Sequence, residues 1–327
     1  MKPVRRILVG VRDLEARALP AVRKGAALAE AFGAELVLFH AMAVPVTALP
    51  SVYRAGGFRN FERGLKKAST DLLERIAEPL RSDKLRVRVE ADWDYPAHEA
   101  IVRQTRRIKA DLVVAHAHAG LRLAPWLLHL TDWELLRTCP EPVLIVKSNR
   151  AWQRPRVLAA IDPVHAFAKP AGLDDEILKA GQQLCKALRG TLHAMHAYVP
   201  EMNPQVVGVS PHVIARIARN SEANARLAFE RALRGVQVPP SRRHRPWGPP
   251  TEAIPRAARG LRAQIVVMGA VSRSGLKRIV IGNTAERILG DLACDVLVVK
   301  PQRFVTQVSR SRRGVRFRVT NGLPRVT

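Results

Sequence analysis

Short runs of consecutive apolar residues alternate with longer amphipathic stretches along the whole chain. Ile7-Leu8-Val9, Leu36–Phe39, Leu112-Val113-Val114 and Val143–Val146 are apolar at neighbouring positions. A strand of that kind has no face suited to water, so it must be covered on both sides. Strands covered on both sides and separated by helical patterns predict a parallel sheet with crossover helices. The same plan then occurs a second time. Arg6–Asp13 matches Arg156–Pro163, and Leu36–His40 matches Leu192–His196, each of the latter runs ending on a histidine. Pro96-Ala97-His98-Glu99-Ala100-Ile101 matches Pro250-Thr251-Glu252-Ala253-Ile254, Ala110–Val114 matches Ala263–Val267, and Val143–Lys147 matches Val296–Lys300. The order is the same in both halves at an offset of roughly 150 residues, as a tandem duplication requires.

The intervening helices are legible from their ends. After Gly172, Asp174, Asp175 and Glu176 place negative charge at a helix N-terminus. Ile177, Ala180, Leu184 and Leu188 then return at helical spacing, and Gly190 offers a stop. A second helix is predicted from the cap Ser210-Pro211 to about Gly235. Its Arg216, Arg219, Arg226, Arg231 and Arg234 share one broad face, with Glu222 and Glu230 at i,i+4 spacing from arginines. That pattern reads as a solvated, salt-bridged face before it reads as an anion site. Pro239–Pro250 is proline-rich and basic, a loop or weak edge strand.

Length and charge refine this picture. A chain of 327 residues is two domains, predicted at 1–149 and 150–303, with 304–327 left over. Lys plus Arg number 54 against 28 Asp plus Glu, a formal net charge of +26. Such an excess points to anionic partners, nucleic acid among them, or to a membrane surface. The last segment carries Arg303, Arg310, Arg312, Arg313, Arg316, Arg318 and Arg325 with no acidic residue, which predicts a poorly ordered, anion-seeking tail. No apolar run approaches the ~20 residues of a membrane helix. The apolar run near the N-terminus, Ile7–Val11, is too short for a signal peptide. Cys139, Cys185 and Cys294 lie far apart, as suits reduced thiols, so a cytoplasmic protein is expected.

Much catalytic chemistry is missing. The sequence has no GxxxxGK[ST] phosphate loop, no GxGxxG after either first strand, and neither GxSxG nor HExxH. His116 and His118 would share one strand face, yet no third ligand stands at convincing spacing, and polar residues at a strand end are the simpler reading. Cys139 and Cys294 precede the last strand of each half, where small residues are usually buried.

One stretch is informative. Val267-Met268-Gly269 ends a strand, Ala270–Ile281 is rich in Ser, Arg and Gly, and Gly282-Asn283-Thr284 opens a helix. Glycines let backbone N–H groups approach a phosphate, and a helix N-terminus adds a positive dipole. This stretch, ending in Cys294–Pro301, resembles the universal stress proteins, whose nucleotide signature is G-x2-G-x9-G-[ST]. The resemblance runs over residues 4 to 301. The tandem arrangement, with Leu130–Pro140 and Gly282-Asn283-Thr284-Ala285-Glu286, resembles the E-type members in particular. It implies two doubly wound, Rossmann-like α/β domains, each with a five-stranded parallel sheet, paired through their last strands as an intramolecular pseudo-dimer. The whole protein is then expected as a monomer or homodimer. It also implies a role in survival of stress and DNA damage, sometimes motility and adhesion, without an established reaction.

Against the signature, Gly269 and Gly282 match, whereas Ser272 replaces the middle glycine and Asn283 the final Ser/Thr. Asp162 matches the aspartate that contacts adenine in nucleotide-binding members; an Asp-Pro turn is its structural alternative. The candidate ATP contacts are therefore Asp162, Met268, Gly269, Ser272, Gly282, Asn283 and Thr284, all in the second half. The Cβ of Ser272 and the larger Asn283 amide predict weak binding or none. In the first half, Ala115–Gly120 and Leu121–Leu130 carry neither phosphate-loop glycine, so that half is read as a scaffold without the site. The leading function is a non-enzymatic protein that binds a small ligand or partner. The alternatives are a basic RNA-binding protein and, less favoured, a slow nucleotide hydrolase, for which no Mg²⁺-binding pair stands beside the loop.

Overall fold

The computed structural model describes residues 2–42, 58–117, 131–164, 172–199, 211–269, 283–301, 304–311, 317–320 and 323–326. The chain divides into two compact units. One comprises Lys2–Asn149 with Val305–Thr327, and the other Arg150–Phe304. They are called the first and second domains below.

The first domain contains β1 (Arg6–Gly10), α1 (Pro20–Phe32), β2 (Glu35–Met42), α2 (Phe58–Ala77), β3 (Val87–Trp93), α3 (Ala97–Ile108), β4 (Leu112–His116), α4 (Thr131–Thr138) and β5 (Val143–Val146). Its sheet has the order β3-β2-β1-β4-β5, with every pairing parallel. Ile7 on the central strand lies beside Leu36 on one side and Leu112 on the other. Both neighbours and Ile7 itself are buried, which is the double-sided cover that the consecutive apolar residues demanded. The helices stop where the backbone turns left-handed. Gly33 caps α1 at φ 65°, and Lys109 caps α3 at φ 52°, with Ala110 N–H returning to Thr105 O.

The second domain repeats this order with β6 (Arg156–Ala160), α5 (Leu173–Leu188), β7 (Thr191–Met195), α6 (Pro211–Ala232), β8 (Arg243–His244), α7 (Pro250–Gly260), β9 (Ile265–Gly269), α8 (Asn283–Asp291) and β10 (Asp295–Val299). Its strands run β8-β7-β6-β9-β10, again all parallel. Both domains are therefore doubly wound α/β folds with five-stranded parallel sheets. Ile177, Ala180 and Leu184 of α5 are buried, as their spacing predicts. The proline-rich stretch supplies the two-residue edge strand β8. Glu230 on α6 pairs with Arg243 of β8 instead of an arginine on its own helix.

Three details depart from the sequence expectations. Gly190 is not the left-handed residue that ends α5; Arg189 is, at φ 52°. Cys139 is buried, but Cys294 is only partly so. The segment after Phe304 carries more structure than its charge predicts. Val308 is buried, and Arg106 Nη1 donates to its carbonyl at 2.9 Å. Further on, β11 (Phe317–Thr320) and β12 (Leu323–Val326) form an antiparallel pair that sets Arg318 directly opposite Arg325. Among the described residues, no helix is long and apolar enough to cross a membrane.

The β7–β8 edge holds a pair of histidines whose nearly coplanar rings meet edge to edge. His193 and His244 lie 5.2 Å apart between ring centres, with Nδ1 of the first 3.0 Å from Nε2 of the second. A single proton between two neutral rings satisfies that contact; two imidazolium rings would repel. Burial, then His244, Arg242 and Arg156, push His193 down to about 4, and burial lowers His244 as well. On acidification the unfolded chain therefore takes up these protons first. The pair's contribution to stability is intact above pH 6.5 and is lost progressively down to about pH 4. Urea unfolding of the full chain at pH 7.5, 5.5 and 4.5 should show this decline in the second domain, and His193→Gln should flatten it. Equal pH slopes in both proteins would assign the acid sensitivity to other groups.

Candidate functional site

In the second domain the chain leaves β6 toward β7 on one side, while β9 lies on the other. The crevice outside the carboxyl ends of β6 and β9 is thus the topological switch point, where doubly wound sheets take ligands. Asp162 lies just beyond β6, and Gly269 is the last residue of β9. Both are fixed by the first turn of α5. The Asp162 backbone N–H donates to Asp174 Oδ1 at 3.1 Å. A Cβ on Gly269 would lie 2.7 Å from Leu173 Cδ2 and 3.1 Å from Leu173 Cγ. A side chain at Gly269 would thus have to displace Leu173 of α5, whatever else the glycine does. Met268 is buried in the strand, so it can offer a ligand only its backbone.

His196, which follows β7, holds the turn that carries Asp162. Its Nδ1 lies 3.2 Å from Ile161 O and 3.8 Å from Asp162 Oδ1. Facing a carbonyl oxygen, Nδ1 carries the ring proton and donates it. The ring is almost wholly buried and stacks on Phe229 of α6, 6.3 Å between centres. The Asp162 side chain remains 39% exposed, which leaves its carboxylate open toward solvent. His196 and Asp174 were not among the candidate residues read from the sequence. The apolar run ending on His196 was visible as a repeat and not as part of a site.

The first domain has the same lock with a different occupant. His40 Nδ1 lies 2.8 Å from Val11 O, and Val11 N–H donates to Phe39 O at 2.8 Å, as Ile161 N–H does to Met195 O at 3.0 Å. The residue after Val11, however, is Arg12. A hydrogen-bond acceptor has been replaced by a cation.

Asn283 and Thr284 begin α8, but their side chains lie outside the described residues, as do Ser272, Gly282 and the rest of the loop between β9 and α8. The structure brings together Asp162, Met268 and Gly269 from the candidate set. In the first domain His116 is exposed at the end of β4, while His118 and Leu121–Leu130 also lie outside the described residues. Among the described residues, no three His, Cys, Asp or Glu side chains are grouped to hold a metal ion. Cys185 is no thiolate nucleophile: burial pushes its thiol up to about 12.

The sequence signature of the Universal stress protein family matches residues 3–147 and again residues 156–300. The chain belongs to the universal stress protein family. It is 31% identical over 225 residues to universal stress protein E of Salmonella typhi, covering 68% of this chain and 71% of that protein. Among solved structures, a functionally unknown protein from Pseudomonas aeruginosa PAO1 is similar with a TM-score of 0.69 at 25% identity, over 91% of this chain and 93% of that one. A universal stress protein from Archaeoglobus fulgidus shares the fold at 15% identity and a TM-score of 0.57, over 90% of this chain and 96% of that chain. This universal stress protein therefore carries two tandem family domains with different residues at equivalent switch-point positions.

Proposed function

We propose that this universal stress protein is a cytoplasmic binding protein for survival of stress and DNA damage, and that its second domain takes a small adenine-bearing ligand, ATP being the leading candidate. The reading rests on one observation: the half-exposed Asp162 carboxylate and the Gly269 backbone flank the switch-point crevice. An adenine amino group would donate to Asp162, while N–H groups around Gly269, Gly282, Asn283 and Thr284 would meet phosphates. In the first domain the matching position, after Val11, is held by the cation Arg12. Binding by fixed dipoles needs no catalytic base or metal, so the protein acts by occupancy and not by turnover.

Calorimetry of the full chain with ATP should give at most one weak site. Asp162→Ala removes a charged acceptor, a loss of about 1.5–3 kcal/mol, or roughly ten- to a hundredfold in affinity. Gly282→Val should abolish binding by filling the phosphate approach. Two equivalent sites, or tight binding indifferent to Gly282→Val, would reject the asymmetric assignment.

A further inference from the structure

A charged recess of the first domain lies along α3 and reaches its C-terminal end. One recess of about 690 Å³ has six cations in its lining, Lys2, Arg103, Arg106, Arg107, Lys109 and, from the C-terminal segment, Arg310, against the four carboxylates of Asp92, Asp94, Asp111 and Glu141. A second, of about 410 Å³, is lined by Arg6, Arg88, Arg107 and Lys109, so the two meet at Arg107 and Lys109. The two recesses adjoin at these residues, and between them their linings run from Arg6 of β1 and Arg88 of β3 to Arg310 of the docked segment; they are together called the trough below.

The carboxylates of the trough are largely committed. Asp92 and Asp94 are buried, and Asp94 is held by Arg103 through two contacts of 2.6 and 2.7 Å. Asp111 Oδ2 accepts the backbone N–H groups of Arg5 and Arg6. Glu35 and Glu90 are shared among Arg6, Arg88 and Arg107. Burial raises the Glu141 carboxyl toward its neutral form. Lys109 and Arg310 project into this setting from exposed positions. Arg106 spends a hydrogen bond on the neutral carbonyl of Val308, which leaves its charge uncompensated by that contact.

The docking of the C-terminal segment sharpens the point. Burial of Val308 and its bond to Arg106 bring Arg310 to a recess that already holds Arg106, Arg107 and Lys109. Gathering cations in excess of the local carboxylates costs free energy unless a further anion lies among them. Arg312, Arg313, Arg316, Arg318 and Arg325 follow directly in the sequence.

We propose that the end of α3, the adjoining strand starts and the docked segment Val305–Ser311 form a binding surface for single-stranded nucleic acid, gripped through its phosphates. The trough is longer than one phosphate and concave, which suits a threaded strand better than a flat bilayer. A flexible strand can bend around a helix end, whereas a duplex with a persistence length of ~150 base pairs resists doing so. The lining cations contact phosphates and carry no sequence information.

A local site must be distinguished from the general attraction of a +26 chain. The triple variant R107Q/K109N/R310Q removes three charges from the trough; asparagine is chosen because it tolerates the left-handed backbone at Lys109. The control R219Q/R226Q/R234Q removes three exposed charges from or just beyond α6 of the second domain. The probe is a 20-nucleotide oligouridylate, titrated against the full chain from 50 to 300 mM salt. Each single-strand phosphate contact contributes about 0.7 to the slope of log K against log salt. The trough variant should therefore bind about a hundredfold more weakly at 0.1 M salt, with a slope shallower by about 2. Arg310→Gln alone, at an exposed position that cannot unfold the domain, should cost about fivefold. The control should stay within threefold of the parent with an unchanged slope. Equal losses in both triple variants, or no binding by the parent at 50 mM salt, would overturn the assignment. So would retention by phosphatidylglycerol vesicles without binding of the oligonucleotide.

Discussion

Arg103→Met is expected to destabilise the first domain by about 3–5 kcal/mol, the range for breaking a buried ion pair from one side. The Arg103 and Asp94 side chains are only 6% and 4% exposed, and the guanidinium bridges both Asp94 oxygens while Nη1 reaches Glu99 at 2.9 Å. Removing the cation strands two carboxylates in a place with little water to solvate them. Methionine keeps much of the packing of the stem, so the loss reports charge and not volume. The reverse test is equally informative: Asp94→Leu added to Arg103→Met should recover most of the stability, because apolar replacement of a whole buried pair is often neutral. Hydrogen exchange across α3 and β3, read together with urea unfolding, isolates this domain from the other. Additive losses in the double variant would show that the two side chains do not act as a unit.

Phe229→Ala should cost the second domain about 3–5 kcal/mol, the range for emptying a buried phenylalanine site. Phe229 is wholly buried, and its ring lies against His196. The variant should therefore show a second effect that an ordinary core cavity lacks. His196 would lose the surface that holds its ring toward Ile161 O, and Asp162 would lose its fixed approach. Protection of the Ile161 and Asp162 amides should fall more than protection of the distant β10 amides, as hydrogen exchange can read. Uniform loss across the domain would make Phe229 a packing residue alone.

The strands were legible because their signal is local: Ile7–Val9 and Val143–Val146 need no partner to announce that both faces are buried. What the sequence hid depends on residues far along the chain. Gly190 looks like a helix stop, yet its task is different, since a Cβ there would lie 2.4 Å from Pro155 O. Glu230 has arginines at helical spacing but meets Arg243, because β8 folds back beside α6. Val308 sits in a segment whose charge predicts disorder, yet it is buried and its carbonyl accepts from Arg106, about 200 residues earlier in the chain. At the candidate site, Asp162 and Gly269 were readable from a motif, whereas His196 acts only through the carbonyl that precedes Asp162. A motif records what touches a ligand more readily than what holds the touching residue in place.

The place of Val308 also sets an order of events during synthesis. Residues 305–311 belong to the first domain, yet they leave the ribosome after the whole of Arg150–Phe304 has been made. At ~5–20 residues per second, that interval lasts on the order of ten to thirty seconds. Throughout it, the nascent first domain presents the bare end of α3, with Arg106 still lacking the carbonyl it will finally meet. Completion of the first domain therefore waits for synthesis of the second and is timed by its length.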